Sequence, residues 1–146
     1  MYTKGAEAGN YAYSFAVGLH EPSGAGSGAI IVNVGTADGT NLHMYNAGLS
    51  RPIQRDQWYH LAVTYEQTTS TAGVLRLYVY DPSDDTVLTA TIPSVKVPVL
   101  SGPLAIGMLR WSTSHFDGWL DEMVVFDDVL TPAEVNQIRQ GSYGKP

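Results

Sequence analysis

The chain has 146 residues, 44% of them hydrophobic and 15% charged, and carries 14 Asp and Glu against 8 Lys and Arg, for a net charge of −6. That length bounds one domain, large enough to bury about 70% of the surface its unfolded chain exposes. The acidic balance argues against nucleic acid and anionic membranes as partners. With no cysteine, disulfides, thiolate metal sites and cysteine nucleophiles are excluded.

The opening "MYTKGAEAGNYAYS" lacks the basic start and apolar core of a signal peptide. No run approaches the roughly 18 apolar residues of a membrane span. From there the dominant period is two. In "YAYSFAVGL" (11–19) Tyr11, Tyr13, Phe15, Val17 and Leu19 alternate with small residues, which predicts a strand with one bulky face. "GAIIVNV" (28–34) and "TNLHMYN" (40–46) are the next two strands, separated by a Gly/Thr/Asp turn at 35–39.

"WYHLAVTYE" (58–66) directs Tyr59, Leu61, Val63 and Tyr65 to one side, with Trp58 expected in the core at the strand start. "VLRLYVYD" (74–81) puts Leu75, Leu77 and Val79 on one face and Arg76, Tyr78 and Tyr80 on the other. "DTVLTATIP" and "PLAIGML" are two further short strands, and "GWLDEMVVFD" (118–127) is a long one. Breakers fall between them, at Glu21-Pro22-Ser23-Gly24, Asp81–Asp85 and Ser101-Gly102-Pro103. Short strands with turn signals about every ten residues predict an all-β antiparallel sandwich or barrel. One helix closes the chain: Thr131 as N-cap, Pro132 in the first turn, Glu134 completing a capping box, Arg139 in the last turn and Gly141 as the stop.

Three segments taken together resemble the laminin-G-like members of the concanavalin A-type lectin/glucanase superfamily. They are "WYHLAVTYE" with "LRLYVYD", the short "GPLAIG", and the closing stretch in which Phe116, Gly118, Leu120, Asp121, Glu122, Leu130, Thr131, Ala133 and Glu134 fall in register with the family's ending. The resemblance covers roughly residues 2–141 and implies an antiparallel β-sandwich (jelly roll) with one short C-terminal helix. Two departures are local: Val124 stands where the family usually has Arg, and the Asp81–Asp85 turn is longer than the family's. A third concerns "YTKG" (2–5), which is similar to a strand that follows one or two earlier strands in the family. On that reading an edge strand lacks its neighbour, and a partner chain or a homo-oligomer would complete the sheet.

Five carboxylates crowd residues 117–128, and their chemistry is the main question. Glucanases on this sandwich are similar to one another in carrying Glu-x-Asp-x-Glu on one strand, because period two puts all three acids on one face. Here Asp121 and Glu122 are adjacent, and Met123 and Val125 stand where further acids would be needed. No Gly-x-Ser-x-Gly is present, and His20, His43, His60 and His115 are scattered, so the reading is non-enzymatic. "SGAGSG" (23–28) lacks the Lys-Ser/Thr of a phosphate loop.

The resemblance also admits calcium, with Asp81, Asp84 and Asp121 as candidate oxygen ligands. The competing reading of the same residues is structural. Asp and Pro build tight turns, and Asp121 would accept backbone hydrogen bonds while Glu122 pairs with a base. For sugar recognition the candidates are Arg76, Tyr78 and Tyr80 on one strand face, His43 and Tyr45 on another, and Trp111 in the loop "LRWSTSHFDG". The competing reading for the tyrosine stripe is cross-strand packing.

The expected role is a non-catalytic recognition or adhesion module, most simply carbohydrate-binding, at an extracellular, cell or virion surface as part of a longer chain. The rival is a structural or assembly module, such as a capsid decoration or fibre subunit, that contacts protein surfaces and binds no sugar.

Overall fold

The computed structural model describes residues 15–20, 27–35, 41–45, 53–83, 85–96, 106–107 and 116–144. Within them lie strands β1 (Phe15–His20), β2 (Ser27–Gly35), β3 (Asn41–Tyr45), β4 (Ile53–Gln54), β5 (His60–Gln67), β6 (Ala72–Asp81) and β7 (Thr86–Lys96), followed by helix α1 (Pro132–Arg139). All pairings are antiparallel. β2 lies between β1 and β3 and also pairs with β4, while β6 lies between β5 and β7.

The period-two pattern of β6 decides the architecture. Leu75, Leu77 and Val79 alternate with polar or aromatic residues and are fully buried. Their cross-strand partners continue the same face: Tyr65, Val63 and Leu61 on β5, and Ile92, Ala90 and Leu88 on β7. Ile30 of β2 and Ile53 of β4 join this cluster, so the two sheets share one core. Burying each such aliphatic side chain contributes roughly 1.5–3 kcal/mol.

The far end of the β5–β6 hairpin depends on a glycine. A Cβ at Gly73 would collide with the Glu66 carbonyl and come within 2.7 Å of the Tyr65 ring. The bare backbone lets that ring pass over β6, and the Tyr65 hydroxyl donates to the Val95 carbonyl of β7 at 3.3 Å. There β7 carries a bulge, since Gly73 pairs Val95 while Leu75 pairs Ile92, and Ser94 takes a left-handed φ of 58°. Pro93 is tolerated because the bulge asks no ladder hydrogen bond of it. The turn itself is closed by Thr68 and Thr69 amides on the Ala72 carbonyl, at 3.0 and 2.9 Å.

Helix α1 forms as its caps require. The Thr131 hydroxyl accepts from the Glu134 amide at 3.3 Å, and the Glu134 carboxylate accepts from the Thr131 amide at 2.7 Å. That backbone bond, seconded by the Thr131 hydroxyl, holds the Glu134 carboxyl below the usual range. At the other end Gly141 takes φ 66°, its amide donates to Ile138 and the Ser142 amide donates to Gln137, which is a Schellman ending.

Two expectations are corrected, and a third lies mostly outside the described residues. "GWLDEMVVFD" (118–127) forms no strand among the described residues, and Glu122 adopts a left-handed φ of 49° that breaks a pleat in its middle. Trp58 is 58% exposed rather than core, since Tyr59 takes the inward direction at the entry to β5 and Trp58 is turned away from it. In "PLAIGML", the two described residues, Ile106 and Gly107, are not in a strand. The strands expected at 28–34, 40–46, 58–66, 74–81 and 85–93 are all present with end shifts.

Leu77→Ala is expected to cost about 2–5 kcal/mol, as deletion of a fully buried side chain does. Leu61→Ala, on the same face but 38% exposed, is expected to cost clearly less. Urea unfolding midpoints check this, and equal losses would contradict the core assigned to β6.

Candidate functional site

The outward face of the β5–β6–β7 sheet carries His60 on β5, Arg76, Tyr78 and Tyr80 on β6, and Val87, Thr89 and Thr91 on β7. They are held side by side by the pairings His60↔Tyr80↔Val87, Tyr78↔Thr89 and Arg76↔Thr91. Helix α1 lies over this face with Val135 buried on its inner side. The helix does not fill the space beneath it. A cleft of about 420 Å³ remains, open to solvent, with Pro132, Val135, Asn136 and Arg139 as its helical wall.

Arg139 ties the helix to the sheet. Its guanidinium stacks 3.7 Å from the centre of the Tyr80 ring and lies 3.9 Å from Asp85 across the β6–β7 turn. Its Nε and Nη2 donate to Asn136 Oδ1 at 3.0 and 2.7 Å. The Tyr80 hydroxyl donates to Asp85, and that bond to a carboxylate is the main reason its pKa is raised. At the other end of the stripe Arg76 pairs with Glu66 at 2.9 Å. Both arginines of the cleft thus lie beside a carboxylate.

Among the sugar-binding candidates, Arg76, Tyr78 and Tyr80 are brought together in this cleft. Tyr78 is only 5% exposed and forms floor rather than an open stacking surface. Stacking platform and packing surface were alternatives for the stripe, and helix α1 makes packing the main duty of Tyr78. The β3 backbone carries His43 and Tyr45, whose side chains lie outside the described residues, as does Trp111. Sequence reasoning set aside His60 and did not single out Thr89, Thr91 or Asn136. The first three follow from strand register once β5, β6 and β7 are paired; Asn136 required knowledge of where the helix docks.

The calcium candidates separate. Asp81 is buried, and its Oδ1 accepts from Gln57 Nε2 at 2.8 Å and from the Ser83 amide and hydroxyl at 2.9 and 2.6 Å. Those bonds are what a turn-closing aspartate makes. Asp121 is exposed and accepts from the Glu122 amide at 2.8 Å, while Asp84 lies outside the described residues. Among the described residues no group of three or more His, Asp or Glu side chains is placed to hold a metal ion. The pairing of Glu122 with a base is likewise not found among them. The left-handed turn at Glu122 also prevents the 117–128 carboxylates from sharing one pleated face, as a retaining glucanase would need.

The His60 imidazole is disfavoured in its charged form, first by burial and then by the Arg139 charge, with Glu122 acting in the opposite sense. Its folded pKa therefore lies below 6.5. The unfolded chain binds the proton more readily, so stability is full above about 6.5 and declines as pH falls toward the folded value. His60→Gln is expected to flatten that decline in thermal melts, and an unchanged slope would rule out His60 as its source. Addition of EDTA is expected to leave the Tm unchanged; a fall of several degrees would restore a structural calcium.

Residues 3–136 match the family model Laminin_G_3, described as the concanavalin A-like lectin/glucanases superfamily. No curated protein and no solved structure matches the chain.

Proposed function

The chain belongs to the concanavalin A-like lectin/glucanases superfamily, and within it we propose a non-catalytic recognition module that binds carbohydrate in the cleft beneath α1. Laminin G-like domains are generally non-catalytic, while the superfamily includes glucanases. The non-catalytic reading draws on the 117–128 carboxylates, which are exposed and interrupted by the left-handed residue Glu122.

One observation supports the sugar reading best. Apolar walls from Val87, Val135 and Pro132 converge with Tyr80, Arg76, His60, Thr89 and Asn136 in a single open cleft of about 420 Å³. Ligand clefts of this size, roughly 300–1,000 Å³, combine apolar walls with a few placed polar groups. A pyranose matches that combination, because its C–H faces are apolar and its hydroxyls require donors and acceptors at the rim. The module would work at an extracellular, cell or virion surface as part of a longer chain.

A second reading, an assembly module making protein contacts, is favoured by a separate feature: the exposed apolar run between Trp119 and Val129.

Affinity electrophoresis through polysaccharide gels tests the first reading. The protein is expected to be retarded by at least one polysaccharide, and His60→Ala with Arg76→Ala to lose most of that retardation. The double variant leaves the Leu75–Leu77–Val79 core untouched. No retardation on any polysaccharide, or retardation that the double variant retains, would sink the cleft as a sugar site.

A further inference from the structure

The cleft beneath α1 gathers arginine in an acidic chain. Two of the 8 Lys and Arg line it, Arg76 from β6 and Arg139 from α1. Of the 14 Asp and Glu, none is among the described residues of the lining. The carboxylates beside the two arginines stand outside it. Glu66 lies 2.9 Å from Arg76 and Asp85 3.9 Å from Arg139, with side chains 47% and 82% exposed. Ion pairs so open to water are weak. A guanidinium has five N–H donors, so one held in such a pair can take a second carboxylate beside the first.

The two arginines are separated along the stripe. Arg139 stacks on Tyr80, and Arg76 lies four residues earlier on the same strand. At the rise of a β-strand that is about 13 Å of backbone. Tyr78 forms the floor between them, flanked by Thr89 and Thr91, the β7 partners of Tyr78 and Arg76. Val87, Val135 and Pro132 add apolar wall. His60, whose pKa burial and the Arg139 charge hold below 6.5, is the neutral polar group at the Tyr80 end.

A single small anion reaches one arginine and leaves the rest of this surface unmatched. A short chain of pyranose rings, each with one carboxylate, matches all of it. Ring faces meet the apolar wall, hydroxyls meet Thr89, Thr91, Asn136 and His60, and separate carboxylates meet the two guanidinium groups. A heavily sulfated glycan would bring several charges per ring against two arginines, and the net charge of −6 opposes that excess.

We propose that the cleft takes an acidic oligosaccharide, a run of uronic acid units, with Arg76 and Arg139 as its two carboxylate-binding positions. The proposal rests on the carbohydrate reading of the cleft and names its ligand class.

Isothermal titration calorimetry on the whole chain tests it. The probes are oligomers of galacturonate, mannuronate and glucuronate, each beside its neutral, carboxyl-reduced counterpart. At least one oligouronide is expected to bind about ten-fold tighter than its neutral counterpart, as a charge-assisted contact gives. Arg76→Gln is expected to erase most of that preference, and Arg76→Lys, which keeps the charge, to retain part of it. The comparison of acidic with neutral probes needs no variant and so does not depend on how a variant folds. Equal affinity for both forms, binding of neutral glycans alone, or a preference that Arg76→Gln leaves intact overturns the acidic ligand while the carbohydrate reading stands. A sulfated dextran bound more tightly than every oligouronide overturns the carboxylate assignment. Binding of none of these probes, together with no retardation by any polysaccharide, removes both readings.

Discussion

Strand β6 is the constraint on which the structure depends. It is the middle strand of its sheet and is covered on both faces. Leu75, Leu77 and Val79 are sealed from water against Ile30 and Ile53, and Tyr78 is sealed on the opposite side under helix α1. A strand in that position must satisfy every backbone group through its neighbours, so β5 and β7 are obliged to pair along it. The site inherits its geometry from this. Register alone brings His60, Tyr80 and Val87 into one row and Arg76 beside Thr91.

The helix turns the outer face of that sheet into a cleft. An eight-residue helix with one buried apolar residue, Val135, has too small a hydrophobic stripe to bury the face completely. It is fastened by Arg139, whose guanidinium stacks on Tyr80 and lies near Asp85. The cation–π contact contributes on the order of 1 kcal/mol at a partly exposed site. The arrangement leaves space lined by polar and apolar groups together.

The acidic stretch after Phe116 has a different character from the one its composition suggests. Carboxylates beside aromatic residues invite an acid/base reading, but catalysis needs them fixed on one face at short separation. The left-handed Glu122 divides the stretch, and Asp121 spends an oxygen on the Glu122 amide. What remains is an exposed apolar stretch with acidic flanks, in no sheet among the described residues.

The sequence by itself determined the elements whose signals are local. Period-two alternation located β2, β3, β5, β6 and β7, and the Thr131–Glu134 capping box with Gly141 delimited the helix, because these patterns depend on residues within one or two turns of each other. Period two also sorted the β6 residues correctly into Leu75, Leu77, Val79 against Arg76, Tyr78, Tyr80. Only the tertiary structure decided what each face meets. Nothing local to Tyr78 says that a helix more than fifty residues later will cover it, and nothing local to Trp58 says that Tyr59 will take the inward place. The same holds for residues 118–127, where alternation and β-propensity describe a strand but none forms among the described residues. Burial and pairing are agreements between distant segments, and those are settled by packing.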